Sequence, residues 1–387
     1  MAGVSRARRG RWPATATLAL AATLLASAGG AAEAPRARPA VSAANSLSPE
    51  TVEAIRQAVS DEMSRLGIPG LSLAVAAAGQ VRHEAGFGFA DVENEVPARP
   101  ETVYRLASVS KPMTAVAVMR LAQDGRLDLD APVTRYCPEF PEKPWPVSSR
   151  QLLCHQGGVR WYRPDEQPMT RRFTSLAEGL ALFADDPLAF EPGTKVGYST
   201  YGYTLLGCAA AHAAGRAFLP LLQESVLGPA GMTSTRMDDV RGLIPNRAQG
   251  YVRDATGQLV NSALADMSYK VPGGGLCGTA PDVARFGSAL LSGQLVTKET
   301  LRQMLTRQKT RGGRATGYGL GLAVGTRGSK REAWHQGGRE RVSTVLYLRT
   351  DGEWAVALLT NLEKVQPHLL DLARRVADLA TAQTVLR

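Results

Sequence analysis

Hydrophobic and polar positions near the start of the chain predict one helix followed by two strands. Ser48, Pro49 and Glu50 are typical of a helix start, with a capping hydroxyl, a proline at the first helical position and an acid near the positive helix end. Gly67 would end this helix. Its apolar face carries Val52, Ile55, Val59, Met63 and Leu66. The next segment, GLSLAVAAAGQVRHEAGFGFADV, contains two apolar extended runs around Gly79 and predicts a hairpin.

The other end of the chain repeats this pattern in reverse. RVSTVLYLRTDGEWAVALLTN predicts two strands around Asp351-Gly352. A helix follows, with Leu369, Leu372, Val376 and Leu379 on one side. Residues from about 106 to 267 show little strand patterning. We therefore predict an α/β (α+β) fold: an antiparallel sheet from about 47–105 and 268–387, flanked by helices, with a mainly helical insertion at about 106–267.

The first residues have the three parts of an export signal. A basic stretch ends at Arg11, an Ala/Leu-rich run extends from Ala14 to about Ala26, and Ala-Ser-Ala follows. We predict a signal peptide at 1–28, a linker at 29–46 and one folded domain at 47–387. The location would be periplasmic or secreted, with a mitochondrial presequence as the alternative because the segment is Arg-rich and lacks acids. The apolar run is shorter than the ~20 residues of a spanning helix, so no stable membrane insertion is expected after cleavage.

Composition narrows the possible functions. The chain has 387 residues, of which 44% are hydrophobic, so it can bury a large core. The formal net charge is +10, and four of the arginines that contribute to it lie in the first eleven residues. The remaining basic residues are spread out, without a Lys/Arg run or interleaved aromatics, which argues against a nucleic-acid partner.

The cysteines and histidines predict neither a metal site nor a cofactor. Four cysteines are too few for a disulfide scaffold, and no pair of them has metal-ligand spacing. An exported location would allow a bridge, for which Cys137 and Cys154 are nearest in sequence; unpaired buried cysteines are the alternative. The histidines show no H-E-x-x-H or similar spacing.

The segment RLASVSKP carries the first candidate chemistry. Ser108 and Lys111 are three residues apart, which places both side chains on one face of a helix. Ser110 points elsewhere. Pro112 is tolerated in a first helical turn, and a serine at such a position has free backbone N–H groups beside it that can receive an oxyanion.

Two later segments complete a family resemblance. FEPGTKVGYSTYGYTLLG places Tyr198 and Thr200 before an apolar helix, and WHQGGRERVSTVLYL places His335 before a strand. Together with S-x-x-K they resemble the serine β-lactamase and penicillin-binding-protein superfamily, with its Tyr-x-Asn or Ser-x-Asn element and its Lys-Thr-Gly or His-x-Gly strand. The resemblance is nearest to the class C branch. LLCHQGGVRWY, PEFPEK and Tyr-Ser-Thr also resemble the mitochondrial serine β-lactamase-like proteins and their bacterial relatives.

The resemblance implies roles for individual residues. Ser108 would be the nucleophile, Lys111 its proton partner, and Tyr198 the group that passes a proton to the leaving group. A serine needs a neighbouring base, but the sequence leaves open whether Lys111 or Tyr198 is that base; beside a cationic lysine, a Tyr198 phenolate would be favoured. The backbone N–H groups of Ser108 and Gly338 would form the oxyanion hole. The implied substrate-binding residues are Thr200, His335, Gln336 and Gly337.

Further positions complete the predicted cleft. Gly273 to Gly275 would permit a close backbone approach, and Thr279 would cap the following helix through Asp282. His155-Gln156-Gly157-Gly158 repeats the later tetrapeptide and is expected in a loop beside the cleft. We expect only one of Arg339 and Arg341 to face the cleft, on the argument that side chains alternate along a strand.

Two departures from the superfamily pattern shape the functional hypothesis. Thr200 stands where β-lactamases carry asparagine, and His335 where they carry lysine. We therefore expect a serine hydrolase that forms an acyl-enzyme on Ser108 and cleaves an amide or ester of a peptide or small acyl substrate. The alternatives are a class C-type β-lactamase or D-alanyl-D-alanine carboxypeptidase, and a non-catalytic or filament-forming scaffold. A homo-oligomer is a further possibility.

Overall fold

The computed structural model describes residues 46–382, so the predicted signal peptide and nearly all of the predicted linker lie outside it. The helices are α1 Pro49–Leu66, α2 Ser110–Gln123, α3 Ser149–Leu153, α4 Leu176–Leu180, α5 Tyr201–Ala214, α6 Phe218–Leu222, α7 Val271–Gly274, α8 Ala280–Leu291, α9 Lys298–Leu305 and α10 Gln366–Ala382. The strands are β1 Gly70–Ala77, β2 Gln80–Asp91, β3 Val96–Pro97, β4 Tyr104–Arg105, β5 Arg236–Met237, β6 Tyr251–Arg253, β7 Leu259–Asn261, β8 Leu276–Gly278, β9 Ala323–Arg327, β10 Lys330–Arg339, β11 Val342–Arg349 and β12 Trp354–Thr360.

The main sheet joins the two halves of the chain. Its seven strands run in the order β3-β2-β1-β12-β11-β10-β9, and neighbouring strands pair antiparallel. The central pair is β1 with β12, which aligns Leu71 with Thr360 and Ala77 with Trp354. The predicted sheet from both chain ends, flanked by helices and carrying a mainly helical insertion, is confirmed.

The two faces of the sheet bury side chains of different size. On β1, Leu71, Leu73 and Val75 contribute to the core formed with α1 and α10, whereas Ala74 and Ala76 face the core on the α8 side. This follows from the two-residue period of a strand. The small residues let α8 approach closely: a Cβ on its Gly287 would lie 2.8 Å from Ala355 Cβ.

Capping residues that can be recognised in the sequence define the ends of several helices. The Ser48 hydroxyl accepts a hydrogen bond from the Thr51 amide at the start of α1, and Gly67 ends that helix with φ 59°. At α8, the Thr279 hydroxyl accepts from the Asp282 amide. These caps satisfy backbone groups that a helix end leaves unpaired.

The helical region between the two halves of the sheet forms the second layer. Helices α2 and α5 lie at its centre and are buried on almost every side. Short strands form two further small sheets, in the orders β4-β8-β5 and β6-β7. They have two or three residues each, too few for an alternating pattern to be recognised in the sequence.

One disulfide joins the loop before α3 to α5. It links Cys137 to Cys208, while Cys154 and Cys277 are buried free thiols. The pairing of Cys137 with Cys154 is therefore wrong. Proximity in sequence was a poor guide because packing of α5 brings Cys208 against Cys137, although 71 positions separate them.

Within residues 46–382, no single helix is both long and apolar enough to cross a membrane. Taken together, the helical segments Tyr201–Ala214 and Phe218–Leu227 reach the required length and composition, but the pair is bent by 81°.

Candidate active site

The predicted nucleophile stands in a tight turn between a strand and a helix. Strand β4 leads into a 3-10 turn at Ala107–Val109, and α2 follows directly. Ala107 has φ 46°, a left-handed conformation that costs a residue with a side chain about 1–2 kcal/mol. The turn is held by the Leu106 amide, which donates to the Leu276 carbonyl at 2.8 Å. Strain of this kind persists where the surroundings fix the backbone, as they do just before Ser108.

The two serines of S-V-S-K face different surroundings. Ser108 is partly exposed, and its Oγ lies 3.0 Å from Lys111 Nζ. Ser110 is fully buried, and its hydroxyl accepts a hydrogen bond from the Leu276 amide of β8 at 3.3 Å. The i, i+3 spacing thus brings Ser108 and Lys111 together, and Ser110 points away as expected.

Lys111 is buried and surrounded by uncharged oxygen atoms. Besides Ser108, its Nζ contacts the Gly273 carbonyl at 2.6 Å and Thr200 Oγ1 at 3.1 Å. Among residues 46–382, no carboxylate lies within 4.0 Å of this nitrogen to form an ion pair. Burial, together with the charge of Arg339, lowers the pKa of Lys111 well below its usual value. A neutral amine is therefore favoured at this position.

Tyr198 lies in an aromatic enclosure beside Lys111. Its ring centroid is 4.2 Å from that of His155 and 5.5 Å from that of Trp161. Lys111 Nζ lies 4.9 Å from the same centroid. Burial raises the pKa of Tyr198, and the hydrogen bond with Ser108 opposes this only in part. Burial disfavours the charged form of both groups, so the cationic lysine that would favour a Tyr198 phenolate is itself disfavoured.

Thr200 connects the start of α5 to Lys111. Besides its hydrogen bond with Lys111, it packs against Gly273, where an added Cβ would lie 2.6 Å from Thr200 Cγ2 and 2.8 Å from the Thr200 carbonyl oxygen. The close approach expected from the glycine run is present. The hydroxyl of Thr200 thus has a partner inside the protein, and its assignment to substrate remains a prediction.

Strand β10 brings the His-Gln-Gly-Gly segment alongside the 3-10 turn. A Cβ on Gly337 would lie 2.5 Å from the Leu106 carbonyl oxygen and 3.2 Å from the Ser108 amide nitrogen. Only glycine therefore permits this spacing between β10 and the turn. Gly338 comes next and pairs with Ser343 of β11. In the described part of the chain, β9 pairs with β10 only up to Trp334, which leaves the later positions beside the turn.

The side chains of His335 and Gln336 point to different surroundings. His335 is buried, and its Nδ1 lies 2.8 Å from the Gln336 carbonyl oxygen. Burial and the charge of Lys111 lower the pKa of His335 to about 3, so the ring is neutral at physiological pH. The Gln336 amide instead donates to the Gln366 carbonyl at 2.7 Å, at the start of α10. A direct contact between that amide and substrate would require this hydrogen bond to break.

Arg339 is the arginine of this strand that faces the predicted site. Its guanidinium carbon lies 5.4 Å from the Tyr162 ring centroid, and its Nη2 donates to the Gln167 carbonyl at 2.9 Å. Arg341 donates instead to Gln249 Oε1, away from Lys111. Only one of the two arginines faces the site, as expected, but strand alternation is the wrong reason, because residues two apart on a strand share a face. Arg341 differs because it lies beyond the end of β10, in the turn before β11, with φ 78°.

Sequence reasoning missed Lys270 and the contact made by His155. Lys270 is buried, and within residues 46–382 its Nζ has no hydrogen-bond partner; it lies 4.8 Å and 4.9 Å from the ring centroids of Tyr269 and Tyr162. Burial and the charge of Arg339 lower the pKa of Lys270. A single lysine two residues before a proline carries no sequence signal. The repeated tetrapeptide gave a signal for His155, but not its position against Tyr198.

Comparisons with known proteins agree with this geometry. Residues 55–381 match the Beta-lactamase family. The human serine beta-lactamase-like protein LACTB, mitochondrial, is 32% identical over 314 residues, which make up 63% of this chain and 57% of that protein. The chain therefore spans little more than half the length of this relative.

Solved structures show the same fold. The octameric penicillin-binding protein homologue from Pyrococcus abyssi superposes with a TM-score of 0.67 at 25% identity, over 80% of this chain and 73% of that one. D-amino acid amidase from Ochrobactrum anthropi superposes with a TM-score of 0.72 at 24% identity, over 85% and 99% of the two chains. Because the family match extends from α1 to α10, the chain belongs to the Beta-lactamase family and has its penicillin-binding-protein-like serine hydrolase fold.

Proposed function

We propose that the protein is a serine hydrolase that forms an acyl-enzyme on Ser108 and cleaves an amide or ester of a peptide or small acyl compound. The observation that carries the proposal is the position of Lys111. Its nitrogen is buried, lies 3.0 Å from Ser108 Oγ, and has no carboxylate partner in the described residues. A lysine can activate a serine only when its pKa is lowered, and this environment lowers it.

The contacts of Lys111 also support a proposed direction of proton transfer. A neutral amine has two N–H groups and one lone pair. In a neutral Lys111, the two N–H groups would donate to the Gly273 carbonyl at 2.6 Å and to Thr200 Oγ1 at 3.1 Å. The lone pair would then point to Ser108 Oγ, 3.0 Å away, and accept the hydroxyl proton. Lys111 is then the base, and Tyr198, whose pKa burial raises, is the acid.

Acylation follows from this arrangement. Ser108 Oγ attacks the carbonyl carbon of the substrate while its proton moves to Lys111 Nζ. The negative charge on the carbonyl oxygen is received by the backbone N–H groups of Ser108 and Gly338. Collapse breaks the bond to the leaving group, which takes a proton from Tyr198; the proton on Lys111 then restores the phenol.

Deacylation uses the same residues in reverse. Water attacks the acyl-enzyme carbonyl carbon and gives its proton to Lys111 through the neighbouring hydroxyl groups. The second tetrahedral intermediate collapses and releases the acid, and Ser108 Oγ recovers its proton from Lys111. The enzyme returns to its initial protonation state.

The substrate preference rests on Thr200 and His335. The hydroxyl of Thr200 is engaged by Lys111, so it does not replace the side-chain amide that β-lactamases carry at this position. His335 is neutral, so it supplies no charge for a substrate carboxylate. We therefore propose that neutral esters and amides are better substrates than penicillins.

A fluorophosphonate tests the proposed nucleophile. The probe phosphonylates an activated serine with loss of fluoride, and intact-mass spectrometry counts the adducts. One adduct is expected on the wild-type protein and none on Ser108→Ala. Ser110→Ala is the matched control, because Ser110 contacts the Leu276 amide and not Lys111. An adduct that persists on Ser108→Ala would disprove the assignment.

The position of Arg339 supports a second candidate function, that of a class C-type β-lactamase or D-alanyl-D-alanine carboxypeptidase. Arg339 faces the site, and its charge acts on Lys111 and Lys270. A cation at this position can attract a substrate carboxylate although His335 is neutral. Steady turnover of nitrocefin by the purified protein would support this candidate, whereas labelling without turnover would support the first one.

Self-assembly of the chain can be tested separately from catalysis. The Pyrococcus abyssi homologue is described as octameric, and we propose that this chain also forms a homo-oligomer. Light scattering on wild type and Ser108→Ala would measure the assembly independently of catalysis. An oligomer without esterase, amidase or nitrocefin activity would favour the non-catalytic scaffold.

The location also remains a proposal. The matched human relative is named as mitochondrial, whereas the amino-terminal pattern of this chain favours export to the periplasm or outside the cell. Fusion of residues 1–46 to a reporter enzyme that is active only after export would distinguish the two locations.

A further inference from the structure

The disulfide of this protein is surrounded by groups that bind metal ions. Cys137 and Glu139 lie in the loop that follows the 3-10 turn Val133–Arg135, and Cys208 and His212 lie one helical turn apart on α5. The two sulfur atoms and a carboxylate oxygen of Glu139 all lie within 4.8 Å of one another. Two separate elements thus bring four metal-binding side chains together, and none of the four belongs to the proposed catalytic set.

The Glu139 carboxylate points at the two sulfur atoms, although a disulfide needs no such partner. Glu139 Oε2 lies 3.4 Å from the sulfur of Cys208 and 3.7 Å from that of Cys137. In the bridged state neither sulfur carries a proton, so neither donates a hydrogen bond to this oxygen. In the reduced state both thiols can donate to it, or all three atoms can bind one cation.

We propose that reduction of the Cys137–Cys208 bridge creates a zinc site in which the two thiolates and Glu139 are ligands and His212 orients the carboxylate. In tetrahedral coordination, a sulfur and an oxygen ligand of Zn²⁺ are about 3.6 Å apart. The observed distances between sulfur and oxygen already bracket this value. His212 Nε2 lies 2.8 Å from the other oxygen, Glu139 Oε1, as expected of a residue that positions a ligand.

The chemistry of the ligand set selects the metal. Two thiolates with one carboxylate suit a borderline-soft cation such as Zn²⁺ better than Mg²⁺ or Ca²⁺, which prefer oxygen ligands. The fourth position would be taken by water, because the side chains of Glu139 and His212 are 42% and 44% exposed. The same exposure gives the ion a path to the buried sulfur atoms.

Formation of the site follows balanced steps. A dithiol reductant breaks the S–S bond and supplies two electrons and two protons, so that two thiols form and the reductant becomes a disulfide. Zn²⁺ binding then releases both thiol protons to solvent and leaves two thiolates on the metal. The site therefore depends on the redox compartment: the bridge fits an oxidising location, and the zinc site a reducing one.

Cobalt is the probe for this proposal, since thiolate-bound Co²⁺ absorbs visibly. Full-length protein is reduced with a phosphine, the reductant is removed without air, and Co²⁺ is titrated with Zn²⁺ as competitor. Reduced wild type is expected to bind one Co²⁺ with thiolate charge-transfer absorption, which Zn²⁺ then displaces. Oxidised protein is expected to show no such band.

Variants assign the ligands and separate binding from misfolding. Cys208→Ser should abolish the band, whereas Glu139→Gln and His212→Ala should weaken binding about 10- to 100-fold. Cys154→Ser is the matched control and should bind as wild type does. Circular dichroism of each variant establishes whether it is folded. If Cys208→Ser unfolds, Glu139→Gln still tests the site, because Glu139 is half-exposed and this variant keeps both cysteines.

Two outcomes would overturn the proposal. One is binding by the reduced wild type no tighter than by folded Cys208→Ser or Glu139→Gln. The other is loss of the band in Cys154→Ser, which would place the metal on a different thiol. Neither outcome depends on the activity of Ser108, because the ligand residues lie outside the proposed catalytic set.

Discussion

The tetrapeptide His-Gln-Gly-Gly occurs twice in this chain and adopts two different structures. The first copy, residues 155–158, follows α3 in a loop, where His155 has φ 59° and Gly158 has φ 72°. The second copy, residues 335–338, belongs to the extended strand β10. The same four residues therefore take their conformation from their surroundings.

The two copies also differ in what they contact. Both histidines lie near Tyr198, at 4.2 Å for His155 and 6.3 Å for His335 between ring centroids. The glycine after Gln336 abuts the backbone at Ser108, whereas Gly157 abuts only side chains, at 2.7 Å from Leu152 Cδ2. Backbone cannot move aside as a flexible side chain can. The second copy should therefore tolerate less change than the first.

Substitution of the middle glycine should separate the two copies most strongly. In Gly337→Ala the new Cβ would lie 2.5 Å from the Leu106 carbonyl oxygen and displace β10 from the turn that carries Ser108. We expect kcat/KM for a p-nitrophenyl ester to fall by about 10²- to 10³-fold, as when one oxyanion donor is lost. The measurement is steady-state ester hydrolysis.

Gly157→Ala is the matched control, since its new Cβ meets the movable side chain of Leu152. It should retain activity within about threefold, with a small loss of thermal stability. Equal losses in both variants would show that the two copies do not differ in the way proposed.

Removal of the first histidine should have the next largest effect. In His155→Ala the ring that packs on Tyr198 is lost and a buried cavity opens, so we expect a loss of about 2–4 kcal/mol in the free energy of unfolding. We also expect a kcat about tenfold lower, with little change in KM, because Tyr198 loses its support. Denaturant unfolding and steady-state kinetics test the two effects.

His155→Asn serves as the comparison variant at this position. Asparagine tolerates the left-handed backbone, and its side-chain oxygen can accept the Ser199 N–H that His155 Nδ1 now accepts. His155→Asn should recover part of the free energy of unfolding that His155→Ala loses, but it cannot restore the ring contact with Tyr198. If His155→Ala had wild-type kcat, the ring would have no positioning role.

The next prediction concerns the pH dependence of acylation and the histidine of the second copy, His335. Acylation needs neutral Lys111, so the rate should rise with pH through the lowered pKa of this lysine and then stay level until Tyr198 ionises. His335, with a pKa lowered to about 3, should add no step between pH 5 and 9. Rates of fluorophosphonate labelling over this range, in wild type and His335→Asn, test this. An ascending limb that moves in His335→Asn would contradict a permanently neutral His335.

The smallest expected effect concerns substrate charge. His335→Lys would add a cation to the second copy and attract the carboxylate of benzylpenicillin. We expect wild type to prefer a neutral p-nitrophenyl ester, and the variant to narrow the difference in kcat/KM by about fivefold, equivalent to ~1 kcal/mol. If wild type preferred benzylpenicillin across pH 6 to 9, the β-lactamase alternative would take the lead.

Local features of the fold were predictable from the sequence, because their causes lie within a few residues. The cap at Ser48, the end of α1 at Gly67 and the hairpin turn at Asp351-Gly352 depend on neighbours in the chain. The pairing of Ser108 with Lys111 depends on one helical turn. The family resemblance added Tyr198, which no local rule would have placed beside them.

Features that depend on packing between distant segments could not be predicted. The Cys137–Cys208 bridge and the burial of Lys270 arise only when α5 and the 269–275 segment fold against their neighbours. The lowered pKa of Lys111 has the same origin, since it follows from burial and not from the S-x-x-K spacing. The sequence therefore pointed to the proposed reacting groups but not to their protonation states.

The pairing of β1 with β12 constrains how the chain can be made and divided. While the protein is still on the ribosome, one edge of β1 has no partner until residues up to Thr360 have been synthesised. The nascent chain therefore cannot complete its central sheet during most of translation. For the same reason, a cut in an exposed loop of the helical region would leave two fragments with complementary open edges at β1 and β12. Such halves should reassemble when mixed, which makes the protein a candidate for a split reporter.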